Sequence, residues 1–286
     1  MANIPTAYKT LLEQFVEAAL KEDIGSGDHT SLACIPPSSR NKAILKVKDE
    51  GVIAGIAIAE YIIKKADPTA TFEQKIEDGT AVHYHDIAFE VECNTQALLK
   101  VERVLLNTMQ RMSGIATLSN RFHFETEDLN VKILDTRKTT PLIRFIEKWA
   151  VQLGGCHNYR FGLYDWIMIK DNHIDACGGI SQAIDRVQAY LKDQKLALGI
   201  TVEVRNLVEL YEVLEKGQIT RIMLDNFELP ILEEAIAIID KRFETEASGG
   251  VNIHNVRKIA QTGVDYISVG ALTHSATGFD LSLKIK

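Results

Sequence analysis

Between Lys132 and Lys170 the chain carries seven basic residues (Lys132, Arg137, Lys138, Arg144, Lys148, Arg160, Lys170) against three acidic ones (Asp135, Glu147, Asp165). The 286-residue chain as a whole is acidic, with a formal net charge of -7. A basic island in an acidic protein suits an anion with several charges, although for any single Lys or Arg a solvated, salt-bridged face is the default. Arg can clamp a carboxylate in bidentate fashion, and Lys adds a compact point charge. Further along stand two carboxylates, Glu203 and Asp225. They can accept hydrogen bonds from ribose hydroxyls, stabilise a cationic transition state or help hold a divalent metal through its ligand. Ser248-Gly249-Gly250 follows an apolar run and precedes a helical pattern. Two glycines let backbone N–H groups approach a phosphate, and the helix N-terminus adds a positive end. The Gly270-Ala271 turn can supply more N–H donors. Phosphate, sugar and polyanion chemistry are thus combined in one chain.

The elements that position these residues follow from periodicity. Thr6 to Glu22 forms an apolar stripe of helical spacing, and Asp23 to Asp28 reads as a turn-rich connection. Strands are expected at Ala43–Lys48, Thr71–Glu77 and Ile87–Glu92, with a helix over Ile56–Ala66. Asn94 or Thr95 is placed to cap a long helix with the stripe Leu98, Val101, Leu105, Met109 and Met112. Arg103 and Arg111 lie off that stripe and are solvent-facing by default; Gly114 is a candidate break. After residue 130 the rhythm becomes β/α. The apolar runs are Val131–Leu134, Trp166–Ile169, Ile200–Val204, Arg221–Leu224, Phe243–Ala247 and Tyr266–Val269. Helices are expected over Ile180–Leu191, Leu207–Lys216, Leu229–Asp240 and Val256–Thr262. Six such units indicate a parallel sheet, either an open doubly wound sheet or an incomplete barrel. Polar groups stand at or just after the C-terminal ends of all six runs, the active face of parallel α/β architectures.

Composition excludes several classes. The chain is 46% hydrophobic and 25% charged, ordinary for a globular protein. Its acidic balance argues against nucleic-acid binding. No apolar run approaches the ~18 residues of a membrane span. The N-terminus lacks a basic region followed by an apolar core, so no signal peptide is expected. Cys34, Cys93, Cys156 and Cys177 are scattered without a C-x-x-C, which fits the cytoplasm and argues against a disulfide framework or a zinc site.

Asp135-Thr136-Arg137-Lys138-Thr139-Thr140-Pro141, Asn158-Tyr159-Arg160-Phe161-Gly162-Leu163 and Ile169-Lys170-Asp171-Asn172-His173 resemble the quinolinate phosphoribosyltransferase family. The likeness continues through Glu203-Val204, Leu224-Asp225-Asn226-Phe227, Ala247-Ser248-Gly249-Gly250 and Val269-Gly270-Ala271-Leu272-Thr273-His274-Ser275. Near the N-terminus it takes in Glu22 to Asp28 and Glu102-Arg103. The resemblance implies an N-terminal open-faced α/β sandwich over residues 1–114, completed by 276–286. Beside it, over 115–275, it implies an incomplete, six- to seven-stranded parallel α/β barrel. It implies transfer of phosphoribose from phosphoribosyl pyrophosphate to quinolinate, giving nicotinate mononucleotide, pyrophosphate and carbon dioxide on the route to NAD. Magnesium would come with the pyrophosphate donor, with no direct protein metal site. The resemblance further implies a homodimer, or a larger assembly of it, with a shared site completed by Arg103 of the neighbouring subunit. That use of Arg103 replaces the solvent-facing reading.

By the same resemblance Arg137, Arg160 and Arg103 grip the two quinolinate carboxylates, with Thr136 and Tyr159 beside them and Lys138 and Lys170 adding charge. Glu203 and Asp225 face the ribose, while Ser248, Gly249, Gly250, Gly270 and Ala271 hold the 5-phosphate. Lys138, Lys170, Glu203 and Asp225 are the catalytic candidates. Tyr159 stands where the family usually has His; it donates a hydrogen bond but carries no positive charge near neutral pH. His157 lies two positions earlier. Leu142 occupies a loop position where Gly is common, a change expected to matter little. The residues alone leave other readings open. These are a relative of the same fold with another acceptor, a Lys170 Schiff-base aldolase, and a non-catalytic carrier of a phosphosugar or pyridine carboxylate.

Overall fold

A computed structural model describes residues 4–286. The chain order opens with a 3-10 turn (Thr6–Tyr8) and runs α1 (Lys9–Ile24), α2 (His29–Cys34), β1 (Arg40–Val47), β2 (Gly51–Val52), α3 (Ile56–Ala66), β3 (Thr71–Gln74), β4 (Ala81–Val82), β5 (Ile87–Asn94), α4 (Thr95–Phe124). It continues β6 (Lys132–Leu134), α5 (Arg144–Leu153), β7 (Ile167–Ile169), α6 (Asp171–Cys177), α7 (Ile180–Gln194), β8 (Ile200–Val204), α8 (Leu207–Lys216). It closes β9 (Arg221–Asp225), α9 (Leu229–Ile239), β10 (Glu244–Ser248), α10 (Val256–Gln261), β11 (Tyr266–Ser268), α11 (Ala271–His274), β12 (Leu281–Ile285). Two compact units result: one takes the chain up to Asn120 with Thr139–Gly155 and Thr273–Lys286, the other takes Arg121–Lys138 with Cys156–Leu272.

The first unit is built on an antiparallel sheet of order β12-β1-β5-β3, in which Leu45 faces Leu283 on one side and Phe89 on the other. The C-terminal strand thus completes an N-terminal sheet. Asn94 Oδ1 accepts the Ala97 N–H at 3.0 Å and caps the long helix α4. The apolar stripe of that helix, Leu98 to Met112, is buried. Two expectations are corrected here. Gly114 neither breaks nor kinks α4 into two elements: the helix runs through it to Phe124, and a side chain there would collide with the Thr277 carbonyl. Arg111 is not solvent-facing; its Nε and Nη2 donate to Glu147 Oε1 at 3.0 and 2.8 Å, and Glu147 is fully buried. Residue 114 lies inside α4, and residues 139–155 pack in this first unit. That segment contains α5, which the sequence reading missed because Glu147 and Lys148 interrupt its apolar pattern while both are buried.

The second unit holds six parallel strands in the order β6-β11-β10-β9-β8-β7. Neighbours follow chain order from β7 to β11, and β11 then pairs with β6. That is the order of a barrel opened between its first and second strands, so the incomplete barrel replaces the doubly wound alternative. His157 forms a one-residue parallel bridge to Leu134 on the free side of β6, the remnant of a seventh strand. Among the described residues no helix is long and apolar enough to cross a membrane, and none of the four cysteines is in a disulfide.

Candidate active site

Pairing register decides which polar residues share a row. At the C-terminal ends Asp225 pairs with Ser248, and one row further in Glu203 pairs with Met223, which pairs with Glu246. In parallel strands, paired residues point to the same face. Asp225 Oδ1 accepts from the Ser248 hydroxyl at 2.5 Å, and Oδ2 accepts from Asn226 Nδ2 at 2.6 Å. Asn226 reaches this position by adopting φ +56, which Asn tolerates better than most residues. Gly249 follows with φ +89, and a Cβ there would strike the Asn226 side chain. A glycine is therefore required both by backbone angle and by space. The helix after this turn begins only at Val256. The expected helix N-terminal contribution is corrected accordingly: the donors belong to a loop, whose Gly250 carbonyl accepts from Asn252 and Asn255 Nδ2 at 3.2 and 3.0 Å. Gly270 lies just past β11, and Ala271 opens α11.

Lys170 stands between β7 and α6 and gives Nζ to Glu203 Oε2 at 2.6 Å. The lysine side chain is 43% exposed and the glutamate 9%, so the pair presents its cation outward over a buried carboxylate. The His173 Nδ1 accepts the Lys170 N–H at 3.0 Å and holds the strand end in place.

The basic island has two strands of support in this unit. Asp135, fully buried, donates its N–H to the His157 carbonyl and accepts the Tyr159 N–H on Oδ1 at 2.8 Å. One side chain thereby ties the loop bearing Arg137 to the loop bearing Arg160. Thr136 Oγ1 accepts the Lys138 N–H at 3.0 Å and shapes the turn between them, leaving the Lys138 side chain exposed. Arg137 Nε is buried without a hydrogen-bond acceptor in the protein. Burial, and then the nearby Arg137, push the Arg160 pKa down. Two guanidiniums beside one another, one with an orphaned buried donor, are unfavourable until an anion joins them.

Tyr159 and Arg160 line a pocket of about 360 Å³ with Lys132, Leu134, His157, Asn158, Asp165, Trp166, Arg221 and Tyr266. The Tyr159 hydroxyl lies 2.6 Å from Thr201 Oγ1, and burial pushes its pKa further up, so it is a neutral group. His157 lines the same pocket; burial and then Lys132 lower its pKa, which favours neutral imidazole. Sequence reading missed Asp135, Thr201, Arg221, Glu244 and Glu246 as supports. The signal was present: Arg221, Glu244 and Glu246 interrupt runs that otherwise read as apolar, and Glu244 and Glu246 fall two apart on one face.

Arg103 is not among the residues this unit brings together. It lies on α4 in the first unit, its side chain 70% exposed, with Glu102 4.0 Å away. Among the described residues no group of three His, Cys, Asp or Glu is arranged to hold a metal ion.

The sequence was compared with known proteins. Residues 28–113 match the model of the quinolinate phosphoribosyl transferase N-terminal domain, and residues 115–284 match that of the C-terminal domain. The chain is 46% identical over 297 residues to quinolinate phosphoribosyltransferase [decarboxylating] 1b of Nicotiana tabacum, covering 98% of this chain and 84% of that protein. It is 39% identical to the probable nicotinate-nucleotide pyrophosphorylase [carboxylating] of Bacillus subtilis, covering 97% and 93%. The crystal structure of NadC from Streptococcus pyogenes superposes with a TM-score of 0.92 over 100% of both chains, at 35% identity.

Proposed function

Since the chain belongs to the quinolinate phosphoribosyl transferase family, we propose that it transfers phosphoribose from phosphoribosyl pyrophosphate to quinolinate with decarboxylation. The products are nicotinate mononucleotide, pyrophosphate and carbon dioxide. One observation carries the acceptor assignment: the orphaned Nε of Arg137 beside Arg160 calls for a carboxylate. In this reading Arg137 and Arg160 bind the acceptor carboxylates, with Tyr159 in the wall and Lys138 at the exposed edge. Magnesium enters as part of the pyrophosphate donor, as a hard cation on phosphate oxygens.

The donor sits at Asp225, Ser248, Gly249, Gly250, Gly270 and Ala271. Ser248 and Asn226 hold the Asp225 carboxylate in a fixed orientation towards ribose hydroxyls. As pyrophosphate leaves the anomeric carbon, positive charge grows on the sugar, and Glu203 stabilises it while Lys170 balances the leaving group. The ring nitrogen of the acceptor then bonds to that carbon. The positive charge of the resulting pyridinium stabilises the electron pair left at ring carbon 2 as the 2-carboxyl departs as carbon dioxide, and a proton taken up from water at that carbon completes nicotinate mononucleotide. Bound side by side, the reactants gain the advantage of proximity.

Arg103 extends the proposal to a homodimer: a cation 70% exposed, with Glu102 4.0 Å away, is available to a second copy's acceptor. A mixed dimer of Arg103→Ala and Glu203→Ala subunits regains activity if sites are shared, and stays inactive if they are not. A cytoplasmic location completes the reading, supported by four cysteines outside any disulfide. The deciding assay supplies phosphoribosyl pyrophosphate and magnesium with either quinolinate or nicotinate. Nicotinate mononucleotide and carbon dioxide from quinolinate alone are expected; turnover of nicotinate instead would overturn the acceptor.

A further inference from the structure

The loop from Tyr159 to Trp166 carries Arg160, and its two ends meet at one atom. Thr201 Oγ1, at the start of β8, lies 2.6 Å from the Tyr159 hydroxyl and accepts the Trp166 Nε1–H at 2.9 Å. Within the loop, Phe161 and Gly162 give their N–H groups to the Asp165 carboxylate at 2.7 and 2.9 Å. Arg160 Nη1 donates to the Trp166 carbonyl at 3.3 Å. Behind both rings stands Arg221, whose guanidinium carbon is 5.1 Å from the Tyr159 ring centre, 5.5 Å from that of Trp166 and 3.6 Å from that of Tyr266. Arg221 is 6% exposed, and its nitrogens are committed to Glu244 at 2.9 and 3.0 Å and to Glu246 at 3.0 Å. All three nitrogens of this guanidinium thus donate to glutamates, which fixes its plane against the rings although it lines the pocket.

We infer that Thr201 and Arg221 are positioning residues for quinolinate recognition, closing the 159–166 loop so that Arg160 is held at the acceptor carboxylates. Tyr159 serves the same closure, since its hydroxyl is engaged with Thr201 and its ring with Arg221. The residue standing in place of the family's usual His therefore acts through Arg160. The inference rests on the acceptor reading of Arg160 given above.

The test is a double-mutant cycle in the intact protein, measured for both substrates. Thr201→Val keeps the volume and removes the shared oxygen. It is expected to lower kcat/KM for quinolinate about tenfold, to leave the KM for phosphoribosyl pyrophosphate within about twofold, and to recover with Thr201→Ser. In an Arg160→Lys background the same change is expected to add less than about twofold, because Thr201 acts through Arg160. Tyr159→Phe removes the hydrogen bond from its other side and gives the same selective loss should Thr201→Val fail to fold. Equal losses for both substrates, or full additivity with Arg160→Lys, would overturn the inference. An Arg160→Lys enzyme with unchanged kcat/KM for quinolinate would overturn the acceptor reading itself.

Discussion

The two ends of the parallel strands in the second unit are similarly polar and differently built. At the start, Thr201, Arg221 and Glu244 pair in one row, and Tyr266 pairs with Glu246 in the next. Arg221 and Glu246 are buried there, and Glu246 accepts from Arg221 and from the Ser268 hydroxyl. At the far end, Lys170 is 43% exposed over Glu203, and Gly249 and Gly250 are exposed beside the Asp225–Ser248 pair. The first set is closed on itself: each charge has its partner inside the protein, so the array is rigid and has little to offer a ligand. The second set keeps bonding capacity facing outward. Polarity inside a strand thus does not mark a catalytic group; exposure and unspent bonding capacity do.

The sharpest way to break this contrast is Glu246→Leu. Removing one partner from a buried ion pair costs about 3–5 kcal/mol. A large fall in melting temperature is expected, and a melt like the parent's would show that the buried row does not hold the unit together. The pH dependence follows from the same group. Burial keeps the Glu246 pKa above the ordinary carboxylate value of 4.5 despite Ser268 and Arg221. A raised folded pKa means that the folded state holds the proton longer than the unfolded chain. This contribution is complete below 4.5 and is lost as pH rises through the folded value. Glu246→Gln is expected to flatten that slope in urea melts recorded across acidic pH.

Lys138→Ala probes the opposite kind of residue. It is expected to cost about 2 to 4 kcal/mol of transition-state stabilisation, on the scale of one preorganised donor. The melting temperature should stay close to the parent's, and near-normal turnover would remove Lys138 from the mechanism. A smaller effect is expected at Gly249→Ala, where φ +89 and the Asn226 side chain both oppose a Cβ. The left-handed backbone alone costs about 1–2 kcal/mol. This should appear as an increase in the KM for phosphoribosyl pyrophosphate of about tenfold, with the quinolinate KM spared. Smallest is Leu142→Gly, outside both ends. Leu142 holds φ +69 and is 94% exposed, a backbone angle that Gly adopts more readily than Leu. Relief of about 1–2 kcal/mol is offset by about 0.5–1 kcal/mol of glycine entropy. A gain of a degree or so in melting temperature is expected.

Much of this was legible in the residues. The α3, β8 and α8 boundaries coincide with the apolar patterns, because each is bounded by Gly, Pro, Asn or Lys chemistry that stops the period. The polar stretches Asp135 to Lys138 and Ile169 to His173 were visible in the sequence because each directly follows an apolar run. Arg111 and α5 were not legible. A charge with a buried partner 36 residues away looks in sequence like any solvent-facing charge.

By itself the sequence determined most of the long elements and the β/α rhythm, since these depend on local periodicity. Only the tertiary structure decided the fate of each charge. Arg137 and Arg221 are the same residue type, yet one keeps a buried donor without an acceptor and the other spends its donors on two glutamates. That difference is set by strand register, which brings Glu244 to Arg221 and places no carboxylate at Arg137 Nε. Folding leaves part of the basic island uncompensated, at Arg137 Nε.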